Sequence, residues 1–315
     1  MEAWKEFLRG KRKKRDVQEF QLNLMDNILD LHRDLKSFKY NHGGYEAFRI
    51  NDPKPRNIHK ASVGDRLLHR AIYRILYSFF DKTFISDSFS YRNNKGTHKA
   101  LNRFRSFAYK VSKNNTKTCW ILKCDIRKFF ENINHDILIG ILKKYITDQN
   151  TIWLLKKVIR SFSSKLNTGL PLGNLTSQLL VNIYMNEFDQ FVKHKLKTKH
   201  YIRYADDFVI LSENNNWLEN QIEPIKIFLS DRLKLELHPD KVFIKTLASG
   251  IDFLGWIHFP DHRILRATTK KRMFKRLKES PTTETLNSYL GLLKHGNAEL
   301  LKKRINDAKL FFDGA

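Results

Sequence analysis

HYIRYADDFVILS, residues 200–212, sets two adjacent carboxylates, Asp206 and Asp207, inside a run that otherwise reads as buried strand. Tyr201 and Ile202 before them and Phe208 to Leu211 after them favour extended chain, so two strands are expected to meet at Ala205–Asp207. Carboxylates packed together repel, and a dry setting tolerates them only beside a proton or a cation. An Asp-Asp pair at a hairpin turn is also ordinary turn chemistry. The rest of the chain has to decide between these readings.

Working outward, CWILKCDI (119–126) reads as a strand ending in Asp125, and NHDILIGILKKYI (134–146) as a helix with Asn134 as its N-cap. GLPLGNLTSQLLVNIYMNEFDQFVKHKL (169–196) gives a Gly/Pro loop, then a helix with apolar face Leu175, Leu179, Ile183, Phe188 and Val192. After the hairpin a helix is expected over 217–229, followed by a strand with alternating Leu233, Leu235 and Leu237 that leads into HPDKVFI. Strand, helices, hairpin, helix, strand is the split β-α-β order of ferredoxin-like sheets, an α+β class. Right-handed crossovers then lay the first strand antiparallel beside the third. Asp125 should therefore reach the hairpin turn, and three carboxylates converge at one sheet edge. Hard oxygen ligands suit Mg²⁺ or Mn²⁺, and two such ions ~4 Å apart can clamp an in-line phosphoryl displacement.

Lysine and arginine total 58 against 33 acids, a net charge of +25 with a pI near 9.9, which points to a polyanionic partner, nucleic acid first. No apolar run reaches ~18 residues and no signal-peptide pattern is present, so no membrane association is expected. Cys119 and Cys124 are the two cysteines; they argue for a reduced, cytoplasmic setting and give zinc no ligand cluster. GKRKKR (10–15) precedes Val17, Phe20, Leu24, Ile28, Leu31 and Leu35 at helical spacing. Residues 45–65 are rich in turn formers and cations, and 66–84 returns to an apolar helical pattern. RATTKKRMFKR (266–276) carries six cations and no acid, with Met273 and Phe274 inward. Such a helix fits the phosphates of a nucleic acid, or simply solubilises the chain.

RYADDFVIL resembles the fifth conserved block of reverse transcriptases, LKCDIRKFFENI the third and GLPLGNLTSQLLVNIYMNEFD the fourth; LHPDKVFI and FLGW resemble the sixth and seventh. Within that family DPKPRNIHKA, GNLTSQ and SYLGLLKHGN most resemble diversity-generating retroelement enzymes and related defence-associated bacterial ones. The resemblance implies a right-hand polymerase: a basic helical segment over 1–44, fingers over 45–115, a ferredoxin-like palm over 116–260 with finger-like helices around 134–165, and a helical thumb over 261–315. It implies RNA-directed DNA synthesis from dNTPs with two Mg²⁺ or Mn²⁺ ions held by Asp125, Asp206, Asp207 and the Ile126 carbonyl. Lys241 matches the lysine that protonates pyrophosphate, and Phe130, five residues after Asp125, matches the gate that rejects a ribose 2′-OH. Arg56, and with it Lys54, Arg49 and Lys60, matches the cationic fingers loop that meets the triphosphate. Leu172, Gly173 and Gln178 match the loop and helix against the incoming base and template. Tyr204, Ala205, Phe253, Leu254, Gly255, Trp256, Lys271 and Arg272 match the primer and template contacts.

Retroviral-type enzymes carry glutamine where this chain has Leu172, and an aliphatic residue there is typical of diversity-generating enzymes that copy adenines with low fidelity. That setting implies a template RNA and a small basic accessory protein; an antiphage reverse transcriptase is the alternative. A second departure is Ala205, where methionine or valine is commoner. No acids after Trp256 are spaced like a ribonuclease H site, so polymerisation alone is expected. Two rivals from other classes stand against this reading. One is a catalytically silent RNA-binding protein, which the intact acids and Lys241 oppose; the other is RNA-directed RNA synthesis, which Phe130 opposes.

Overall fold

The computed structural model describes residues 1–51 and 55–312. Three short helices open the chain: α1 (Glu2–Phe7), α2 (Arg15–Leu22) and α3 (Leu24–Lys36). The pattern from Val17 to Leu35 is thus helical but not continuous. It breaks at Asn23, whose backbone leaves the helical region, so Val17 and Phe20 pack with Trp4 and Phe7 while Leu31 and Leu35 reach the main core. The basic run 10–15 is mostly the turn between α1 and α2, where Gly10 takes φ +70°.

A hairpin of β1 (Tyr45–Ile50) and β2 (Arg56–Ala61) follows, with Tyr45 opposite Ala61. Next come α4 (Val63–Phe80), capped by Ser62, whose hydroxyl accepts from the Asp65 amide at 3.1 Å, and α5 (Thr97–Val111). Then β3 (Trp120–Asp125), α6 (His135–Tyr145), α7 (Gln149–Arg160), α8 (Leu175–Gln190), β4 (Tyr201–Tyr204), β5 (Asp207–Ser212), α9 (Asn215–Leu233) and β6 (Phe243–Thr246) build the centre. Asn134 caps α6 as its sequence suggests, accepting from the Ile137 amide at 3.0 Å. The C-terminal part holds β7 (Ile251–Phe253), β8 (Trp256–His258), β9 (Arg263–Leu265), α10 (Ala267–Glu279), α11 (Thr283–Leu293) and α12 (Glu299–Phe312).

The central sheet runs β4-β5-β3-β6, every neighbouring pair antiparallel. This is the ferredoxin-like order expected of the sequence. Alternation along each strand splits the core in two. Leu122, Cys124, Phe208 and Ile210 belong to the cluster with α8 and α9, and α8 is buried nearly all round. Ile121, Ile202, Val209 and Leu211 face the other way, onto Phe104 and Phe107 of α5 and onto Phe253 and Trp256.

The strand expected over Leu233–Leu237 is corrected. Leu233 ends α9, Lys234 takes φ +51° as its C-cap, and the fourth strand is Phe243–Thr246. Leu235 is buried at a bend, and Leu237 makes only an isolated bridge to Ile126. The alternation marks burial of a connecting segment, not a ladder.

Candidate active site

Tyr204 pairs with Asp207, so Ala205 and Asp206 form a two-residue hairpin turn. Ala205 has φ +58°, a conformation that costs an L-residue about 1 kcal/mol. Its amide donates to Ser90 Oγ at 2.8 Å, and its carbonyl accepts from Arg203 Nη1 at 3.1 Å. Arg203 is itself completely buried. It meets buried Asp189 in a fork, Nε to Oδ1 at 2.8 Å and Nη2 to Oδ2 at 2.7 Å, and also donates to Ser88 Oγ and Asn182 Oδ1. The Tyr201 hydroxyl completes Asp189 at 2.7 Å. A buried ion pair is tolerable when its remaining donors and acceptors are satisfied, and these largely are.

Asp125, the last residue of β3, lies opposite Asp207, and the Ile126 amide donates to the Asp206 carbonyl at 3.1 Å. Each of two carboxylates has a lysine: Lys241 Nζ lies 2.9 Å from Asp125 Oδ1, and Lys123 Nζ 3.2 Å from Asp207 Oδ2. Burial raises the Asp206 carboxyl, and the Asp125 charge adds to that rise. Burial pushes Asp207 up to about 7 against the pull of Lys123, and its Oδ1 is buried without a partner. Among the described residues no three His, Cys, Asp or Glu side chains are grouped closely enough to hold a metal ion. The donor chemistry nevertheless fits a hard divalent cation: acids crowded at a turn, raising one another's affinity for a positive charge, with an orphaned carboxylate oxygen among them.

Beside the turn, with Tyr204 on its wall and Asp125, Asp206 and Asp207 outside its lining, opens a cleft of about 1540 Å³. Arg56 of β2 lines it, as do Tyr204, Leu254 and Gly255, and along α10 Thr269, Lys271, Arg272 and Lys275. Leu254 and Gly255 form the β7–β8 turn, both with positive φ, 51° and 86°. Phe253 and Trp256, which flank that turn, are buried in the core, so they brace it from behind, and Ala205 is buried as well. Of the expected primer and template residues, the cleft is lined by Tyr204, Leu254, Gly255, Lys271 and Arg272.

Phe130 is half-buried, edge-on to Phe129 at 5.6 Å and to Tyr91 at 6.4 Å. The Tyr91 phenol is raised by burial and then by the Asp206 charge, while Arg56 opposes both the Tyr91 and the Asp206 shifts. Arg56, Tyr91 and Asp206 therefore share one electrostatic environment. Arg49 lies exposed on β1, whereas Lys60 is engaged by Asp16 at 2.9 Å and Glu46 at 3.3 Å. Lys54 lies outside the described residues. The Leu172 carbonyl accepts from the His59 amide at 3.0 Å, and Asn174 Nδ2 donates to the His59 carbonyl at 3.0 Å. Gly173 has φ +102°, and a Cβ there would stand 2.7 Å from Ile58 Cγ2. Glycine thus lets this loop close onto β2. Gln178 is half-buried in the first turn of α8.

Residues 50–258 match the model of the family described as reverse transcriptase (RNA-dependent DNA polymerase). The chain belongs to the reverse transcriptase family. It is 26% identical over 314 residues to the group II intron-encoded protein LtrA of Lactococcus lactis subsp. cremoris, covering 77% of this chain and 49% of that protein. It is 23% identical to protein YkfC of Escherichia coli, covering 66% of this chain and 63% of that one. The chain therefore spans about half the length of the intron-encoded relative. In fold it is similar to the apo telomerase of Candida tropicalis truncated from its C-terminal domain, with a TM-score of 0.54 at 13% identity over 77% of this chain and 60% of that one. A telomerase of Candida albicans in complex with a fragment of telomeric RNA gives 0.52 at 12% identity, over 80% and 54%. These likenesses agree with a right-hand polymerase fold.

Several residues around this candidate site carry little signal in the sequence. Tyr91 sits in a turn-rich stretch, SYRNNKGTHKA, whose only local signal is an aromatic among polar neighbours. Lys123 is a cation inside an apolar strand next to Cys124 and Asp125, which is a usable signal for a carboxylate partner. Ser90, Asp189 and Arg203 come from separate segments, and no local spacing links them. Among the described residues no helix is long and apolar enough to cross a membrane.

Proposed function

We propose that the chain is an RNA-directed DNA polymerase that extends a primer with deoxynucleotides on an RNA template. The observation that carries this reading is the convergence of Asp125 and Asp206 on one turn at the edge of a cleft lined by cations from β2 and α10. Asp125 and Asp206, with Asp207 and the Ile126 carbonyl beside them, are the residues to hold a pair of Mg²⁺ or Mn²⁺ ions. When bound, such ions activate the attacking oxygen and stabilise the leaving group. Lys241, which pairs with Asp125, is in this reading the group that gives a proton to pyrophosphate. Phe130, with Tyr91 against it, is the candidate gate against a 2′-OH, and Arg56 the cation for the triphosphate. Residues 45–115, 116–260 and 261–315 serve in this reading as fingers, palm and thumb.

Leu172 adds a finer proposal. Its side chain brings no hydrogen-bonding group to the loop beside β2, which supports low fidelity at adenines and a diversity-generating setting with its template RNA and accessory protein. The test is primer extension on a defined RNA template, with dNTPs or rNTPs and with or without Mg²⁺, followed by sequencing of the product. Extension with dNTPs and Mg²⁺ only is expected, with misincorporation concentrated at adenines. No extension on any primed RNA removes the polymerase reading, whereas faithful copying of adenines removes only the finer one.

A further inference from the structure

At the far end of β8 from the cleft-facing turn lies a second cavity, of about 370 Å³, between α5, the β8–β9 turn and the loop joining α11 to α12. Its walls carry Arg105, Arg263 and Lys294 together with His258, His262 and His295. Among the described residues Asp261 is the one carboxylate on the wall, and Asn115 Nδ2 already donates to it at 3.1 Å. Two wall groups are buried without partners: His258 Nε2, on a ring that is 3% exposed, and Arg263 Nη1. Arg263 directs its Nε to the His295 carbonyl and its Nη2 to Asn102 Oδ1 at 3.2 Å, so its third nitrogen is the one left over. The cations also disfavour one another: after burial, Arg105 is the charge that lowers Arg263, and Arg263 the charge that lowers His258. Arg263 Nη1, a buried donor without an acceptor standing among like charges that crowd, is an arrangement an anion relieves.

We infer that this cavity is a phosphate-monoester site distinct from the polymerase cleft. Three permanent cations face one engaged carboxylate, so a ligand with two negative charges fits better than one with a single charge. Arg105, Arg263 and Lys294 put N–H-bearing groups on three sides of one cavity, the kind of donor a tetrahedral oxyanion needs. The Phe104 and Phe259 rings make an apolar wall beside them, and the volume admits a nucleotide as well as a bare phosphate. Because the walls come from α5, the β8–β9 turn and the α11–α12 loop, a bound phosphate ties the loop between the C-terminal helices to α5 and the three-stranded β7-β8-β9 sheet. The ligand is either a free phosphate or nucleotide, or the 5′-terminal phosphate of an RNA.

The test is equilibrium titration of the full chain with inorganic phosphate, with adenosine 5′-monophosphate, and with one RNA oligonucleotide carrying either a 5′-phosphate or a 5′-hydroxyl. At least one phosphate-bearing probe should saturate. Arg105→Ala and Arg263→Gln should each weaken phosphate or nucleotide binding, or the gain in RNA affinity that a 5′-phosphate brings over a 5′-hydroxyl, by about tenfold, the worth of a charge-assisted hydrogen bond, while the cleft variant Lys271→Ala should leave the small-ligand affinity and that gain unchanged, whatever it does to RNA binding as a whole. A 5′-phosphate that tightens RNA binding only when Arg105 is present identifies the RNA end; a 5′-group without effect, with Arg105-dependent phosphate or nucleotide binding, identifies the small ligand. Arg105 lies on the exposed side of α5, so its variant keeps the test open should Arg263→Gln not fold. No saturable binding of phosphate or nucleotide together with no 5′-phosphate gain in RNA affinity, or a small-ligand affinity or 5′-phosphate gain weakened by Lys271→Ala and not by Arg105→Ala, would overturn the inference. Neither result depends on whether the chain polymerises.

Discussion

The Ile126 amide donates to the carbonyl of Asp206 at 3.1 Å. One backbone hydrogen bond thus fixes the end of β3 to the β4–β5 turn, and it sets the distance between two acids that are far apart in the sequence. Because strand register is discrete, a slip by one residue would send Asp125 to the opposite face. Geometry at this turn is therefore inherited from the whole sheet, and the consequences can be tested residue by residue.

The Arg203–Asp189 pair supports the turn from below. Arg203→Met leaves Asp189 as an uncompensated buried charge and removes a donor from the Ala205 carbonyl, a loss of about 3–5 kcal/mol. Chemical denaturation should show that loss, and Asp189→Asn should show one of similar size. In a double-mutant cycle the two losses should sum to more than the loss in the double variant.

Gly296 is closed to any side chain. A Cβ there would fall 2.0 Å from Cζ3 of Trp256, and the Trp256 ring is fixed in the core. Gly296→Ala should destabilise by about 1–3 kcal/mol through overpacking. A smaller ring in Trp256→Phe should make the alanine better tolerated. Thermal melts of the four proteins check this.

Acid should destabilise the fold through buried histidines. Burial lowers His69 and His258 to about 3 from an ordinary 6.5. Between those values the unfolded chain binds more protons, so stability falls as pH drops below 6.5, by about 1.4 kcal/mol per ring per pH unit. Asp207, raised to about 7, acts in the opposite direction over the same range. The histidine contribution is therefore read as a difference: His69→Asn should flatten the stability profile between pH 6.5 and 5.5 relative to the parent chain.

The α10 face should govern duplex affinity and its salt dependence. Lys271→Ala should weaken binding of an RNA–DNA duplex at all sequences alike and lower the slope of log K against log salt by about one. Fluorescence anisotropy across a salt series measures both. An unchanged slope would take Lys271 off the phosphate path.

The sheet order was legible because its information is local: period-two apolar runs, a helix between strands, and an acid at a strand end. The same locality explains the misreadings. Helical spacing from Val17 to Leu35 does not reveal that Asn23 leaves the helix, and alternation over 233–237 does not distinguish a strand from a buried bend after a left-handed Lys234. The polar network of Ser90, Asn182, Asp189 and Arg203 was beyond reach, since each member has an ordinary neighbourhood and only the fold unites them. Trp256 reads as a primer contact from its motif, yet its ring packs against Gly296, a position with no signal in the strand itself.

The central claim is that Asp125 and Asp206 act together on one reacting centre. The direct measurement is primer extension on an RNA template with dNTPs and Mg²⁺ by the parent chain, Asp125→Asn and Asp206→Asn, with melting curves of all three. Extension by the parent is expected, with a loss of roughly a thousandfold or more in each variant, comparable to removing a principal electrostatic element of a polymerising site, and with both variants still folded. Near-parental extension by either folded variant would contradict that claim.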